Sequence, residues 1–198
     1  MDDVLATLNI INDQNGWIRD SSSNKKVTVM YKYFEGDDAV TIKVEGLMNA
    51  PLLNLCGLCY EVDLFHTWVP LMKRSDKLAQ ISRTKQISRN LYSFPLPFVK
   101  NRELLMYGYG VNALNTKHKC IMAVGKTVEG LFKGVQIPEI AKGCIRAISP
   151  ISGATFTPVG ENKVFFRFVS NFDPKMKVPY SILNWFSRKF AKGLFKKF

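Results

Sequence analysis

The chain has 198 residues, 46% of them hydrophobic and 22% charged, which suits one globular domain with a substantial core. Its formal net charge of +12 predicts attraction to polyanions, either nucleic acid or an anionic lipid surface. No run of about 18 apolar residues is present, so no transmembrane helix is expected.

The start of the chain, MDDVLATLNI, is acidic where a secretory signal would be basic, so no signal peptide is expected. Without such a signal, the four cysteines are predicted to be free thiols in a reducing compartment. They are Cys56, Cys59, Cys120 and Cys144. The sequence therefore predicts a cytoplasmic protein.

The first elements follow from hydrophobic periodicity. Residues 2–12 carry apolar side chains at helical spacing and are predicted to form an amphipathic helix. Apolar and polar residues alternate over 27–33 and again over 40–48, which predicts an antiparallel hairpin. Pro51 then begins a helical stretch that runs to about Leu71. Gly57 and Asp63 are expected to divide it into two short helices.

Further β structure is predicted over 77–93, 103–111, 119–128, 144–159 and 163–172. The first of these stretches is polar on one side, and the last two are predicted to pair as a hairpin. Residues 94–102 hold two prolines and are predicted to form a loop, and 129–143 are expected to be irregular. Strands joined by short turns predict an α+β fold with an antiparallel sheet, which needs a cover on one face.

A final helix, predicted to begin near Pro179, is the candidate for this cover. Its apolar stripe consists of Leu183, Phe186, Phe190 and Leu194. Its opposite face carries Arg188, Lys189, Lys192 and Lys196, with Trp185 beside them. The stripe is expected either to cap the core or to lie against a cavity or a bilayer, and a helix can combine these roles.

Motifs for catalysis or metal binding are weak. The cysteines of CGLC at 56–59 lie inside a predicted helix, whereas a redox pair would be at its N-terminus, so they are interpreted as structural. His66 is expected to be packed and His118 to lie in a turn, and the acids are scattered. We therefore expect no catalytic residue, no metal and no cofactor. The basic residues are spread without a nucleic-acid motif, so nucleic-acid binding is not expected.

Four stretches resemble the START domain, the StAR-related lipid transfer domain. They are YEVDLFHTWVPLM at 60–72, YSFPLPFVKNREL at 92–104, FFRFVSNFDPKMKVPY at 165–180 and SILNWFSRKFAKGLF at 181–195. The resemblance covers 17–198, so the whole chain is predicted to be a single domain of this kind. Many relatives carry Asp-Pro-Gly-Gly where this chain has DPKM, which marks it as a divergent member.

The resemblance implies a helix-grip fold, in which a curved antiparallel sheet wraps around a long C-terminal helix and encloses a tunnel for one lipid. It implies lipid binding and transfer between membranes by a monomer that associates peripherally with anionic surfaces. A phospholipid is the favoured ligand, and a sterol or another lipid remains open. Two alternatives also remain open: an enzyme with the same kind of cavity, and a basic interaction or nucleic-acid-binding module.

Residues of the lipid site can be named on the same basis. The candidates for the tunnel wall are Met106, Tyr107, Tyr109, Met122, Phe166, Phe168, Leu183, Phe186, Phe190 and Leu194. Which of the strand residues point inward is left open. Arg83, Arg102 and Arg146 are candidates to meet a phosphate, with an internal arginine–acid pair as the alternative. Membrane contact is expected at Phe98, Val99, Trp185, Arg188, Lys189, Lys192 and Lys196.

Overall fold

The computed structural model describes residues 2–20, 23, 27–33, 39–94 and 97–176, together with 185 and 189. The helices there are α1 (Asp2–Asn12), α2 (Leu52–Tyr60) and α3 (Phe65–Trp68), with a 3-10 helix at Val62–Leu64 between the last two. The strands are β1 (Ile18–Arg19), β2 (Val27–Tyr33), β3 (Val40–Met48), β4 (Met72–Ser82), β5 (Lys85–Tyr92), β6 (Asn101–Ala113), β7 (Cys120–Thr127), β8 (Leu131–Phe132), β9 (Val135–Gln136), β10 (Cys144–Arg146), β11 (Ser152–Gly160) and β12 (Lys163–Phe172).

Within the described residues, ten strands form one sheet in the order β1-β2-β3-β12-β11-β7-β6-β5-β4, with β10 added beside β6. Every pairing is antiparallel except that of β10 with β6. The predicted α+β class and the predicted hairpin of β2 and β3 are confirmed. The predicted C-terminal helix lies almost entirely outside the described residues.

The two faces of the sheet follow from strand alternation. On β12, Phe166 and Phe168 pack with the cluster that includes Leu55 of α2. Between them, Arg167 donates to Asn12 of α1 at 2.9 Å. The face that carries Phe166 and Phe168 is called the inner face below, and the face under α1 is called the outer face.

Helix α1 is held on the outer face by a buried lysine. The Lys43 side chain is fully buried, and its Nζ donates to the carbonyl oxygens of Ile11 and Asp13 at 3.1 and 2.5 Å. Carbonyls at a helix C-terminus lack intrahelical partners, so a cation there stabilises the helix. At Gly153 the helix approaches so closely that an added Cβ would lie 2.6 Å from Thr7 Cγ2.

Three details of the predicted elements are corrected. Of the two predicted dividing positions, Gly57 lies inside α2, whereas Asp63 lies in the 3-10 helix that separates α2 from α3. Residues 129–143 contain the small hairpin of β8 and β9. The stretch 144–159 is not one strand, because Cys144–Arg146 pairs in parallel with β6 and only the part from Ser152 pairs with β12.

Candidate functional site

A cavity of about 670 Å³ lies between the inner face and the segment formed by α2, the 3-10 helix and α3. This volume is typical of sites for small, largely apolar molecules. Its helical side is formed by Leu55, Leu58, Phe65 and Trp68, and its sheet side includes Phe156, Phe166 and Phe168. The interior that the sequence predicts to be hollow therefore contains an apolar space.

Glycines on the inner face leave room in the floor of this cavity. Gly108 of β6 pairs with Gly125 of β7, and Gly110 pairs with Ala123. An added Cβ at Gly108 would meet nothing nearer than the Val124 carbonyl oxygen at 3.9 Å. An added Cβ at Gly110 would likewise meet nothing nearer than 3.9 Å, so the floor of the cavity is open at these two glycines.

A row of polar side chains runs along β5 into the cavity wall. Gln86, Ser88 and Asn90 alternate with outward-facing residues and are each at least nine-tenths buried. Gln86 Nε2 donates to the carbonyl oxygen of Tyr60 at 3.0 Å, and Asn90 Nδ2 donates to Ser88 Oγ at 3.1 Å. The polar side predicted for 77–93 is therefore turned to the cavity here, although the sequence singled out none of the three as site residues.

A second polar group lies at the other side of the cavity, where β11 and β12 meet the chain after β10. Ser149 Oγ donates to the Asn171 carbonyl oxygen at 2.7 Å and lies 3.3 Å from Ser170 Oγ. Both serines line the cavity. These hydroxyls have partners inside the protein, which distinguishes them from the amide oxygens of the β5 row.

The cavity wall carries no charge in the part of the chain that the structure describes: none of the residues lining it there is Asp, Glu, Lys or Arg. Arg83, proposed from the sequence as a phosphate ligand, lies exposed in the turn between β4 and β5 and is not part of the wall. Arg102 and Arg146 are also absent from the wall, and each has protein partners.

Arg102 is buried at the start of β6, where it binds main-chain oxygens. Its Nε donates to Pro174 O at 2.6 Å, its Nη1 donates to Lys100 O, and its Nη2 lies 2.7 Å from Met176 Sδ. The guanidinium therefore connects the loop before β6 to the chain after β12. The expected phosphate contact is replaced by a structural one.

Arg146 follows the alternative proposed from the sequence, an internal arginine–acid pair. Its Nη2 lies 3.0 Å from Glu103 Oε2, and Arg89 Nε lies 2.6 Å from Glu103 Oε1. The Glu103 side chain is fully buried. Two cations beside one buried carboxylate compensate for its desolvation. Arg146 is therefore held in this ion pair, outside the cavity wall.

The tunnel-wall candidates on strands divide into residues that face the cavity and residues that face the outer side of the sheet. Met106, Phe166 and Phe168 line the cavity. Tyr109 and Met122 only border it, since their side chains pack in the outer-face cluster with Leu8 of α1. The placement of Tyr107 in the wall is corrected, because strand alternation turns its ring to the outer face.

The outer position of Tyr107 is explained by the small hairpin. Its ring centroid lies 5.1 Å from that of Phe132 and 5.5 Å from that of Tyr109. Lys133 Nζ lies 5.5 Å from the same ring. Because β8 and β9 cover this part of the outer face, a large aromatic side chain is buried there without entering the cavity.

Among the candidates for membrane contact, Phe98 is fully exposed in the loop before β6, with a positive φ of 64°. Val99 is half-buried. Trp185 and Lys189 have helical backbone, Trp185 half-buried and Lys189 exposed. The remaining membrane-contact candidates lie outside the described residues: Arg188, Lys192 and Lys196. The same is true of four tunnel-wall candidates: Leu183, Phe186, Phe190 and Leu194.

The two cysteines of α2 line the cavity, and all four cysteines are free thiols. Burial raises the pKa of Cys59 to about 12 and also raises that of Cys56. Cys59 is half-buried by surface area. A thiol with so high a pKa is a poor nucleophile, in agreement with a structural role.

Within the described part of the chain, no three residues of the His, Cys, Asp and Glu types are arranged to hold a metal. His66 Nδ1 lies 3.1 Å from Ser75 Oγ, outside the cavity wall, and His118 lies in the turn between β6 and β7. No described helix has the length and apolar character needed to span a bilayer.

Solved structures resemble this fold. Human StAR-related lipid transfer protein 5 matches with a TM-score of 0.81 and 15% identity over 98% of this chain and 92% of its own. Human STARD10 matches with a TM-score of 0.77 and 18% identity over 99% and 76%. The Zhui aromatase/cyclase of a Streptomyces species matches with a TM-score of 0.52 and 7% identity over 79% and 92%.

No curated protein sequence gave a significant match. The family model for the START domain matches residues 5–197. That range includes most of α1, every strand of the sheet and the cavity between them. On this match, which spans nearly the whole chain, the protein belongs to the START domain family.

Proposed function

We propose that this protein binds one lipid molecule in its cavity and carries it between membranes. The observation that supports this most directly is the apolar cavity of about 670 Å³ behind α2 and α3. Human StAR-related lipid transfer protein 5, whose name states lipid transfer, has the same fold. The proposal extends that activity to this chain.

Such a carrier lowers the main barrier to lipid exchange. A lipid that leaves a bilayer alone exposes its acyl chains to water, at about 0.8 kcal/mol per CH₂ group. In this cavity the acyl chains would contact apolar side chains such as Leu55, Phe156 and Phe166 instead of water. The apolar part of the ligand therefore passes from one apolar environment to another.

Docking on the membrane is proposed to use the loop before β6 together with the C-terminal helix. Phe98 extends fully into solvent, and Lys100 is exposed close to it. The sequence predicts a basic face on this helix, formed by Arg188, Lys189, Lys192 and Lys196. Such a face would add attraction of about 1 kcal/mol per residue near an anionic surface. Peripheral association at cytoplasmic membrane surfaces fits these features.

Opening of the cavity is proposed to involve the same two segments. Arg102 joins the loop before β6 to residues 174–176, which lead toward the C-terminal helix. A movement of the chain after Met176 would therefore also act on the loop that carries Phe98. This coupling makes the two segments a reasonable gate for the lipid.

Catalysis has less support than carriage. The described residues that line the cavity include no histidine and no carboxylate, the groups used most often for acid–base chemistry. The similarity to an aromatase/cyclase concerns the fold, since only 7% of the residues are identical. A noncatalytic carrier is therefore the function proposed.

The test is transfer of a lipid between vesicles. The full chain is mixed with donor vesicles that contain a fluorescent lipid and with unlabelled anionic acceptor vesicles, and the purified protein is also extracted and analysed by mass spectrometry. We expect faster transfer and a copurified lipid near one molecule per chain. Lys192→Glu combined with Lys196→Glu should slow transfer to anionic vesicles but not to neutral ones. No transfer and no bound lipid would reject the proposal.

A further inference from the structure

The polar row of β5 is placed to bind the polar end of a ligand. Gln86, Ser88 and Asn90 lie at every second position of the strand and therefore on one face. With about 3.3 Å per residue, the row extends over about 13 Å of the wall. The helical side of the cavity is formed by apolar side chains such as Leu58 and Phe65.

Two amide oxygens of this row lack partners within the described residues. Gln86 Nε2 donates to Tyr60 O, and because a carbonyl can only accept, the orientation of this amide is determined. Gln86 Oε1 is then buried without a hydrogen bond, and Asn90 Oδ1 is in the same condition. A buried acceptor without a donor costs about 1–3 kcal/mol, so a ligand that supplies a donor here is favoured.

A phosphate group does not fit the described part of this wall. It carries negative charge and, when ionised, offers only acceptors, so it would leave Gln86 Oε1 and Asn90 Oδ1 without a donor. No described residue of the wall carries a positive charge to compensate it. Arg102 and Arg146, the nearest candidates by sequence, are bound to main-chain oxygens and to Glu103.

We propose, on the basis of the lipid-carrier function above, that the ligand is an uncharged lipid whose polar end bears O–H or N–H donors. Gln86, Ser88 and Asn90 bind this end. The acyl or ring portion lies along the apolar walls. This proposal departs from the phospholipid favoured by the sequence, because the arginines named there as candidates to meet a phosphate lie outside the described cavity wall. It agrees with the sterol or other lipid that the sequence left open.

Trp68 adds a complementary donor. Its indole lines the cavity, and Nε1 is buried without a hydrogen bond in the described part of the chain. A hydroxyl or carbonyl oxygen of the ligand can accept from this N–H. The described wall therefore contains one donor without a partner in addition to the two acceptors of β5.

The test compares head groups on identical chains. The full protein is incubated with vesicles of dioleoylphosphatidylcholine that contain dioleoylglycerol, ceramide or cholesterol as a minor component. It is then separated from the vesicles, and the bound lipid is quantified by mass spectrometry. After correction for membrane content, we expect at least one uncharged lipid to exceed phosphatidylcholine by about tenfold or more.

Two negative results of this experiment have different meanings. Near-stoichiometric phosphatidylcholine with little of any uncharged lipid would overturn this inference and leave lipid carriage standing. Absence of every lipid from the recovered protein would overturn the carrier function and the inference together.

Substitutions of Gln86 and Asn90 test whether the polar row of β5 causes the preference for an uncharged lipid. Asn90→Leu removes the amide at similar volume, and Gln86→Met does the same but also loses the bond to Tyr60. Each should lower the ratio of uncharged lipid to phosphatidylcholine about tenfold. Gln80→Met, the same loss of an amide at an exposed position of β4 outside the cavity wall, should leave the ratio unchanged. Thermal unfolding confirms that the variants are folded. An unchanged ratio in folded Asn90→Leu would overturn the assignment.

Discussion

Arg102 Nε donates to the carbonyl oxygen of Pro174 across 2.6 Å and so connects the start of β6 to the chain that follows β12. The two residues are 72 positions apart in the sequence. The Arg102 side chain is almost completely buried, and its Cζ lies 6.0 Å from the centroid of the Phe94 ring. This contact holds the chain that leads toward the C-terminal helix against the loop that carries Phe98.

Replacement of this arginine should reduce stability. Arg102→Leu leaves the carbonyl oxygens of Pro174 and Lys100 without their donor and should lower the free energy of unfolding by about 2–4 kcal/mol. The measurement is urea unfolding followed by circular dichroism. Arg83→Leu, in an exposed turn, is the control and should change stability by less than about 0.5 kcal/mol. Equal effects of the two changes would show that the Arg102 contacts contribute nothing.

Filling the cavity floor should separate stability from binding. At Gly108 an added side chain meets only ordinary contacts and extends into the cavity. Gly108→Val should therefore keep or raise the free energy of unfolding, by up to about 1 kcal/mol, because valine suits a strand better than glycine. Lipid uptake from vesicles should fall severalfold, since the added methyl groups occupy ligand volume.

A second glycine provides the contrast. Gly153→Ala places a Cβ 2.6 Å from Thr7 Cγ2 on the outer face. This variant should lose about 1–3 kcal/mol of stability, because overpacking displaces α1. Its effect on lipid uptake should be smaller than that of Gly108→Val at a temperature where both are folded. Equal lipid uptake by Gly108→Val and the wild type would mean that the ligand does not occupy this floor.

Thiol labelling should report on the cavity. With a pKa of about 12, Cys59 stays protonated at about pH 8.5, where half of an unperturbed thiol is ionised. Its alkylation by N-ethylmaleimide should therefore be slow in the native protein, and bound lipid should slow it further. Cys144, on β10 outside the cavity wall, is the internal control and should react alike with and without lipid. Equal rates of Cys59 alkylation with and without bound lipid would contradict the proposed location of the ligand.

The same thiol gives stability a definite pH dependence. The raised pKa of Cys59 means that the folded state retains a proton that the unfolded state loses above its ordinary pKa. Stability should therefore decline as the pH rises from the unfolded value toward about 12. Cys59→Ala should reduce the decline, which urea unfolding at several alkaline pH values can measure.

The exposed phenylalanine should matter for membranes and not for folding. Phe98→Asn removes an aromatic ring from solvent, and asparagine tolerates positive φ well, so stability should be unchanged or slightly higher. Vesicle binding should weaken by about 10–100-fold, the equivalent of about 1.5–3 kcal/mol for an inserted aromatic side chain. Cosedimentation with anionic vesicles is the measurement.

The control for this prediction lies at the other end of the sheet. The register of β6, β7 and β11 puts Val159, another exposed apolar residue, at the end opposite to the loop of Phe98. Val159→Asn should therefore leave vesicle binding unchanged. Equal losses in both variants would indicate general adsorption and not docking through the loop.

Local patterns in the sequence were sufficient to predict α1, the β2–β3 hairpin and the antiparallel sheet. Each depends on a periodicity of 3.6 or 2 residues that the backbone imposes over a few turns or strand positions. The hydrophobic composition and the basic charge likewise follow from the residues alone. The small hairpin of β8 and β9 was missed because each of its strands has only two residues, too few for alternation to appear.

The inward or outward direction of each side chain was decided by tertiary structure. Alternation puts Gln86 and Ile87 on opposite faces, but only the packing of α2 over one face makes the polar residue the one that meets the cavity. In the same way, Tyr107 faces outward because the β8–β9 hairpin covers it, and Arg102 binds a carbonyl 72 positions away. A strand pattern has two equivalent faces, and contacts between residues distant in sequence determine which of them encloses the ligand.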